Sequence, residues 1–191
     1  MKKTIMTLMA LSVFAVGSAI AADLSVEGRF GNVGSSTGTN SSEFDVAIKA
    51  PIASVGTLGA ITLGGELQAK EYAGSSSVTS VSAANVGTSV SWNGFKLSPF
   101  VEVGRFAVAD ASTNFFGAGA TVSHAVQGPV SVEVGYRHRG GTSSALLMNE
   151  DRLSAAAVLS VGTHGALAAT FYHNTGTLPE NQVGVGYRYS F

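Results

Sequence analysis

The stretch Val183-Gly184-Val185-Gly186-Tyr187-Arg188-Tyr189-Ser190-Phe191 closes the sequence, and its reading decides the fold. Val183, Val185, Tyr187, Tyr189 and Phe191 fall on one side of a two-residue period. Gln182, Gly184, Gly186, Arg188 and Ser190 fall on the other. Successive side chains of a strand point to opposite faces, so this is a strand with one apolar and one polar side. The same alternation runs through 130–139, where Val130, Val132, Val134 and Tyr136 oppose Ser131, Glu133, Gly135 and Arg137. Helical periodicity is almost absent from Asp23 onward.

Extended along the chain, this pattern predicts an all-β protein of ten strands, at roughly 24–32, 42–52, 60–72, 80–92, 97–106, 115–126, 130–139, 151–161, 166–173 and 181–191. The connections alternate in character. Polar ones fall at 34–40 and near 73–79, 107–114, 140–150 and 174–180. Tighter ones are Asn93-Gly94, Gln127-Gly128-Pro129 and Gly162-Thr163-His164-Gly165, and the link at 53–59 is less clear. Asn-Gly is a strong short-hairpin signal. Long loops at one end and short turns at the other describe a transmembrane antiparallel up-and-down β-barrel, with eight strands as the alternative to ten.

The amino terminus reads as an export signal. Lys2 and Lys3 precede an apolar run from Ile5 to Val16, and Ala19-Ile20-Ala21 fits an A-x-A cleavage site. The expected organisation is a cleaved signal peptide at 1–21 followed by a barrel at 22–191, with cleavage after Ala21 or Ala22. Loss of Lys2 and Lys3 leaves nine of the 11 basic residues against 12 acidic ones. With 45% hydrophobic and 12% charged residues the chain is too apolar for a disordered protein. It also lacks the basic surface that a nucleic-acid partner needs. Cys is 0, which excludes a disulfide framework and thiolate metal sites.

A soluble β-sandwich has the same alternation but places its aromatic residues at mid-strand. Here the outward aromatics fall at strand ends: Phe30, Phe44, Phe116, Tyr136 and Phe171 toward one rim, and Trp92, Tyr189 and Phe191 toward the other. Two aromatic girdles around an apolar band suit the two interfaces of a membrane.

The ending 183–191 resembles the C-terminal assembly signal of outer-membrane β-barrels, and Val132-Glu133-Val134-Gly135-Tyr136-Arg137 resembles strands of the OmpA/OmpX type. The resemblance implies Gram-negative outer-membrane insertion by the barrel assembly machinery, with Tyr187, Tyr189 and Phe191 as the recognised residues. Outer-membrane lipids and lipopolysaccharide are the expected surroundings. The resemblance implies no activity.

The inward face should carry the acids Glu27, Asp45, Glu66, Glu102 and Glu133 and the bases Arg29, Lys49, Lys70, Arg137, Arg139, Arg152 and Arg188. Charges inside a barrel must pair or be hydrated. They make either a charged constriction in a small channel for polar solutes or an ion-paired plug in a structural or interaction barrel. The remaining inward positions are small, among them Gly64, Gly104, Gly117, Gly119, Gly184 and Gly186, which suggests water between the charges and a mild anion preference. On the outer wall, Ala155, Ala157 and Ala169 form a small-residue strip suited to a homo-oligomer or larger assembly.

None of the 4 His has a partner at metal-ligand spacing, so no metal or cofactor is expected. His173, Thr175 and Glu180 could form a hydrolytic triad of the kind that lipid A deacylases carry, although the carboxylate spacing is short. A non-enzymatic barrel is the preferred reading.

Overall fold

The computed structural model describes residues 23–31, 40–56, 59–142, 148–176 and 179–191. The export signal at 1–21 and most of the connection at 34–40 lie outside these residues. The strands are β1 (Asp23–Gly31), β2 (Ser41–Ser54), β3 (Ala60–Tyr72), β4 (Val78–Gly87), β5 (Val90–Trp92), β6 (Phe95–Val108), β7 (Ala111–Gln127), β8 (Val130–Gly141), β9 (Asn149–Val161), β10 (Gly165–Gly176) and β11 (Glu180–Ser190). All neighbours are antiparallel. Because β4 and β5 both pair with β6, they form one interrupted stave, and β1 pairs with both β2 and β11. The result is a closed barrel of ten staves, not eight.

The interruption has a local cause. Proline cannot donate to a ladder, and Pro99 on β6 stands opposite the break. Its carbonyl still accepts from the Thr88 amide at 3.1 Å.

Turn chemistry sets one end. Asn93 (φ 48°) and Gly94 (φ 81°) form a two-residue hairpin loop closed by the pair Trp92↔Phe95, as type I′ turns require. At Gln127-Gly128-Pro129 the register shifts between Ala125 and Gln127, and Gly128 takes φ 58°. The bulge accommodates the extra residue Val126.

One predicted loop is absent. The segment 107–114 is strand almost throughout, and β6 meets β7 in a two-residue turn of Ala109 and Asp110, closed by Val108↔Ala111. Polar Asp110, Ser112, Thr113 and Asn114 gave the sequence its loop-like look. In a strand that extends past the apolar band, they are ordinary rim residues. β10 likewise runs on to Gly176 and β11 begins at Glu180, so the predicted connection at 174–180 is shorter than expected.

The burial pattern is inverted relative to a soluble protein. Phe30, Trp92, Val101, Phe116, Val134 and Val185 are exposed on the outer wall, whereas Arg29, Glu43, Asp45, Glu102, Arg139 and Gln182 are buried inside. Large apolar outer surfaces are rare on soluble monomers. From residue 23 onward, alternation puts only Glu71, Arg105 and Asp151 on the outer wall among the charged residues of the strands. All three lie at the long-connection end, so the rest of the wall is an uncharged band.

Ala109 holds φ 50°, in the region that disfavours a side chain. Ala109→Gly should therefore stabilise the barrel by about 1 kcal/mol, read as a higher urea midpoint for unfolding from lipid vesicles. An unchanged or lower midpoint would show that the turn carries no such strain.

Candidate functional site

The candidate site is the lumen. Alternation and side-chain contacts place all twelve of the expected inward charges there. Five more inward charges escaped the sequence reading: Asp23, Glu43, Lys96, Glu150 and Glu180. Glu43 shares the parity of Asp45 and was legible. Glu150 and Glu180 fell in predicted loops, and Lys96 stood one residue before a predicted strand. The described inward set is thus nine acids and eight bases, which removes the basis for an anion preference.

These groups are organised as a septum. From β8, Arg137 and Arg139 reach across the lumen to Glu66 on β3, four staves away in the shorter direction. Arg137 Nη1 donates to both Glu66 oxygens at 3.2 Å, and Arg139 Nη2 donates to Glu66 Oε2 at 2.9 Å. Arg139 also grips Glu102 through Nε (2.7 Å) and Nη2 (2.9 Å), a fork-like charge-assisted contact. Arg139 and Gln182 are 0% exposed, and Phe115, whose ring lies 4.9 Å from the Arg139 guanidinium, is 1% exposed.

A second cluster adjoins the first. Arg29 bridges Glu43, Asp45 (2.7 Å) and Glu27 (3.3 Å). Glu27 accepts from Thr170 and from the Tyr172 hydroxyl at 2.8 Å. Lys70 pairs with Glu180, which also accepts from Ser41 (3.0 Å) and Gln182 (2.9 Å). Each acid is held from more than one stave, so the side chains tie the ring together.

Space remains on either side of the septum. At the turn end, a vestibule of about 380 Å³ is lined by residues that include Lys49, Lys96, Ser123, Glu133 and Arg188. There Arg188 donates to the two oxygens of Glu133 at 2.8 and 2.9 Å. At the long-connection end, a vestibule of about 370 Å³ is lined by residues that include Lys70, Glu150 and Arg152 and the apolar Val81, Phe106 and Met148.

Small inward residues do not signal open water. A Cβ on Gly104 would meet the Phe115 ring, one on Gly119 the Phe100 ring, one on Gly117 the Glu102 carboxylate and one on Gly184 that of Glu27. These glycines are cleared so that large neighbours can lie flat across the wall. The sequence reading overlooked those neighbours: Phe100, Phe106, Phe115 and Tyr172 all have inward parity.

The other candidates fall outside the lumen or apart from one another. His173 is exposed on the outer wall and bonds Asn181 Oδ1 at 2.8 Å, while Glu180 is buried inside with Lys70. The two sit on opposite faces of the sheet, so the hydrolytic triad does not assemble. His124 stacks on Phe95 at 4.3 Å. Outside the long-connection rim, His138 and the Tyr136 hydroxyl both bond Asp151, at 3.0 and 2.5 Å. Tyr187, Tyr189 and Phe191 are exposed at the turn end, with Tyr189 and Phe191 edge to face at 5.0 Å. Ala157 pairs with Ala169 and Ala155 with Phe171, making one continuous outer strip.

A closed ten-strand antiparallel barrel with an apolar outer wall and a charged lumen has the fold of outer-membrane β-barrels. Among solved structures, the chain is similar to an outer-membrane channel from Pseudomonas putida F1, with a TM-score of 0.58, 9% identity and coverage of 90% of this chain and 96% of that one. It is also similar to a KdgM porin, with a TM-score of 0.51, 13% identity and coverage of 87% and 99%. The β domain of the Bordetella autotransporter Brka gives a TM-score of 0.50, 11% identity and coverage of 90% and 99%. At such identities the likeness is one of fold. No family model matches the sequence, and no curated protein matches it.

The septum and the turn-end pair differ in surroundings, and so should their energetics. Removing one member of a buried ion pair costs about 3 kcal/mol, whereas a solvent-exposed pair contributes less than about 1 kcal/mol. Glu66→Ala should therefore lower the unfolding free energy in urea by about 3 kcal/mol and Arg188→Ala by under about 1 kcal/mol. Equal costs would contradict this division.

Proposed function

We propose that the protein is exported to a Gram-negative outer membrane and acts there as a small porin-like channel for small polar solutes. The observation that carries this reading is the septum: two vestibules enter the lumen from opposite ends, and what parts them is a network of ion pairs. Arg137 has Glu66 at 3.2 Å, Glu150 at 3.0 Å and Glu102 at 3.9 Å. A guanidinium with three carboxylates in reach can shift among them without losing compensation, and a shift opens a polar gap. The similar channel and porin folds agree with this reading, and an affiliation with OmpA/OmpX-type barrels rests on segments 132–137 and 183–191.

The second reading is a non-conducting structural or interaction barrel. The complete burial of Arg139 and Gln182 favours it. Planar-bilayer conductance separates the two. A channel gives small unitary steps that grow several-fold in Arg139→Gln, with a reversal potential close to zero because nine inward acids oppose eight bases. Silence from both proteins would establish the plugged barrel.

The expected neighbours are outer-membrane lipids, lipopolysaccharide and, during insertion, the barrel assembly machinery. The strip of Ala155, Ala157 and Ala169 is proposed as a contact with a second barrel, because small side chains let two walls approach closely. Single cysteines at these positions should cross-link in native membranes well above a cysteine at Val132. Equal background at all four would exclude the contact.

A further inference from the structure

The vestibule at the turn end holds positive charge that ion pairing in the lumen leaves unmatched. Most of its carboxylates are taken: Glu66 by Arg137 and Arg139, Glu102 by Arg139, and Glu133 by Arg188. Lys49 on β2 and Lys96 on β6 line the same space. Neither lies within ion-pair distance of a carboxylate, and all 12 acids of the chain are among the described residues. Asp23 stands opposite Lys49 in the register, yet it accepts from the Ser190 hydroxyl at 2.6 Å and pairs with neither lysine. The like charge of Lys96 bears on Lys49 more strongly than the opposite charge of Asp23 does. Lys96 is exposed and Lys49 half-buried, so neither side chain is sealed off. Two cations in one wet cleft repel each other and concentrate anions.

Neutral hydrogen-bonding groups flank the pair. Ser123 is the register partner of Lys96, and two residues on, Ser98 is that of Thr121. These three hydroxyls line the vestibule beside Lys96. On the other side, Gly64 separates Lys49 from Asn85 in the register. A Cβ on Gly64 would meet the Asn85 amide, so that amide lies over the gap next to the strand of Lys49. The cleft thus offers two ammonium groups and several uncharged donors, an arrangement suited to an anion with several acceptor oxygens.

We propose that this vestibule binds a phosphate group, either the inorganic ion or that of a small phosphomonoester. Lys49 and Lys96 supply the charge, and the hydroxyls of Ser98 and Ser123 and the Asn85 amide supply the neutral donors. An ammonium group binds phosphate as a compact point charge on a flexible stem, so two lysines on separate strands can converge on one ion. A space of about 380 Å³ lies in the range of small-ligand pockets and leaves room for an organic body beside the phosphate. Binding does not depend on conduction, because a sealed septum leaves this vestibule at its own end of the barrel.

Beyond residue 3 the chain has three lysines, Lys49, Lys70 and Lys96. Lys70 pairs with Glu180 and lines the other vestibule, so it serves as an internal reference. The protein is labelled with ¹³Cε-lysine and held in maltoside micelles, which carry no phosphate. Inorganic phosphate then replaces chloride at constant ionic strength and mildly alkaline pH. The Lys49 and Lys96 signals should shift saturably and together, with Lys70 unmoved. Lys96→Gln should raise the phosphate concentration that shifts Lys49 by about tenfold, since one charge-assisted bond is lost. Asp23→Asn should lower it by removing an opposing charge. Neither residue belongs to an ion pair, so neither change strands a partner. A tighter response to glycerol phosphate marks the ester as the ligand, and an equal or weaker one marks the free ion. Linear, non-saturating shifts, or a Lys70 shift equal to those of the pair, would overturn the site. That comparison needs no substituted chain.

Discussion

The backbone pairing of β1 with β11, from Asp23↔Ser190 to Gly31↔Gln182, is the constraint on which the rest of the structure depends. An open sheet of ten staves would leave two bare edges and two free faces. Closing it removes the edges and turns one face into a finite interior, roughly 20 Å across between backbones for ten tilted staves. Every second side chain must then fit within that interior. Charges placed there cannot all reach bulk water, so they find one another across the space. Glu66 meets Arg137 and Arg139 from four staves away, and Lys70 on β3 meets Glu180 on β11. These cross-lumen pairs form only in a closed ring, so main-chain closure and side-chain pairing support each other.

How much of this was legible follows from what the chain encodes locally. A two-residue period is a property of neighbours in sequence, so the strands, the two faces and the Asn93-Gly94 turn could all be read directly. So could the twelve inward charges within predicted strands. Partner choice is not local. Nothing near Glu66 announces Arg139, because register accumulates around the barrel strand by strand. Loop assignments failed where strands outrun the apolar band: Ser112 and Asn114 are polar because they are exposed near the rim, and Asn174 and Glu180 because they belong to the buried network of the lumen, not because the chain turns there.

The glycines show a second limit. Read one strand at a time, Gly104, Gly117 and Gly119 suggested an empty interior. In the barrel each is half of a pair whose other half is large: Phe115, Glu102 and Phe100. Interiors fill to high density by matching small residues to large ones on adjacent strands, so the volume at one position has meaning only beside its neighbour. Side-chain area averaged across a hairpin, rather than along a strand, would have shown a lumen well filled at this level.

What fills the lumen also differs from place to place. A buried ion pair is poor stabilisation compared with apolar packing of the same volume, because desolvation offsets most of the attraction. The chain packs hydrocarbon inside the barrel where Val81, Phe106, Phe115 and Met148 meet. Had the septum only to be tight, the same solution was available a few residues away. Instead it uses Glu66, Glu102, Arg137 and Arg139, groups whose charges retain an affinity for water and ions even when paired. That chemistry is the one the proposed channel reading requires, in which the septum admits small polar species.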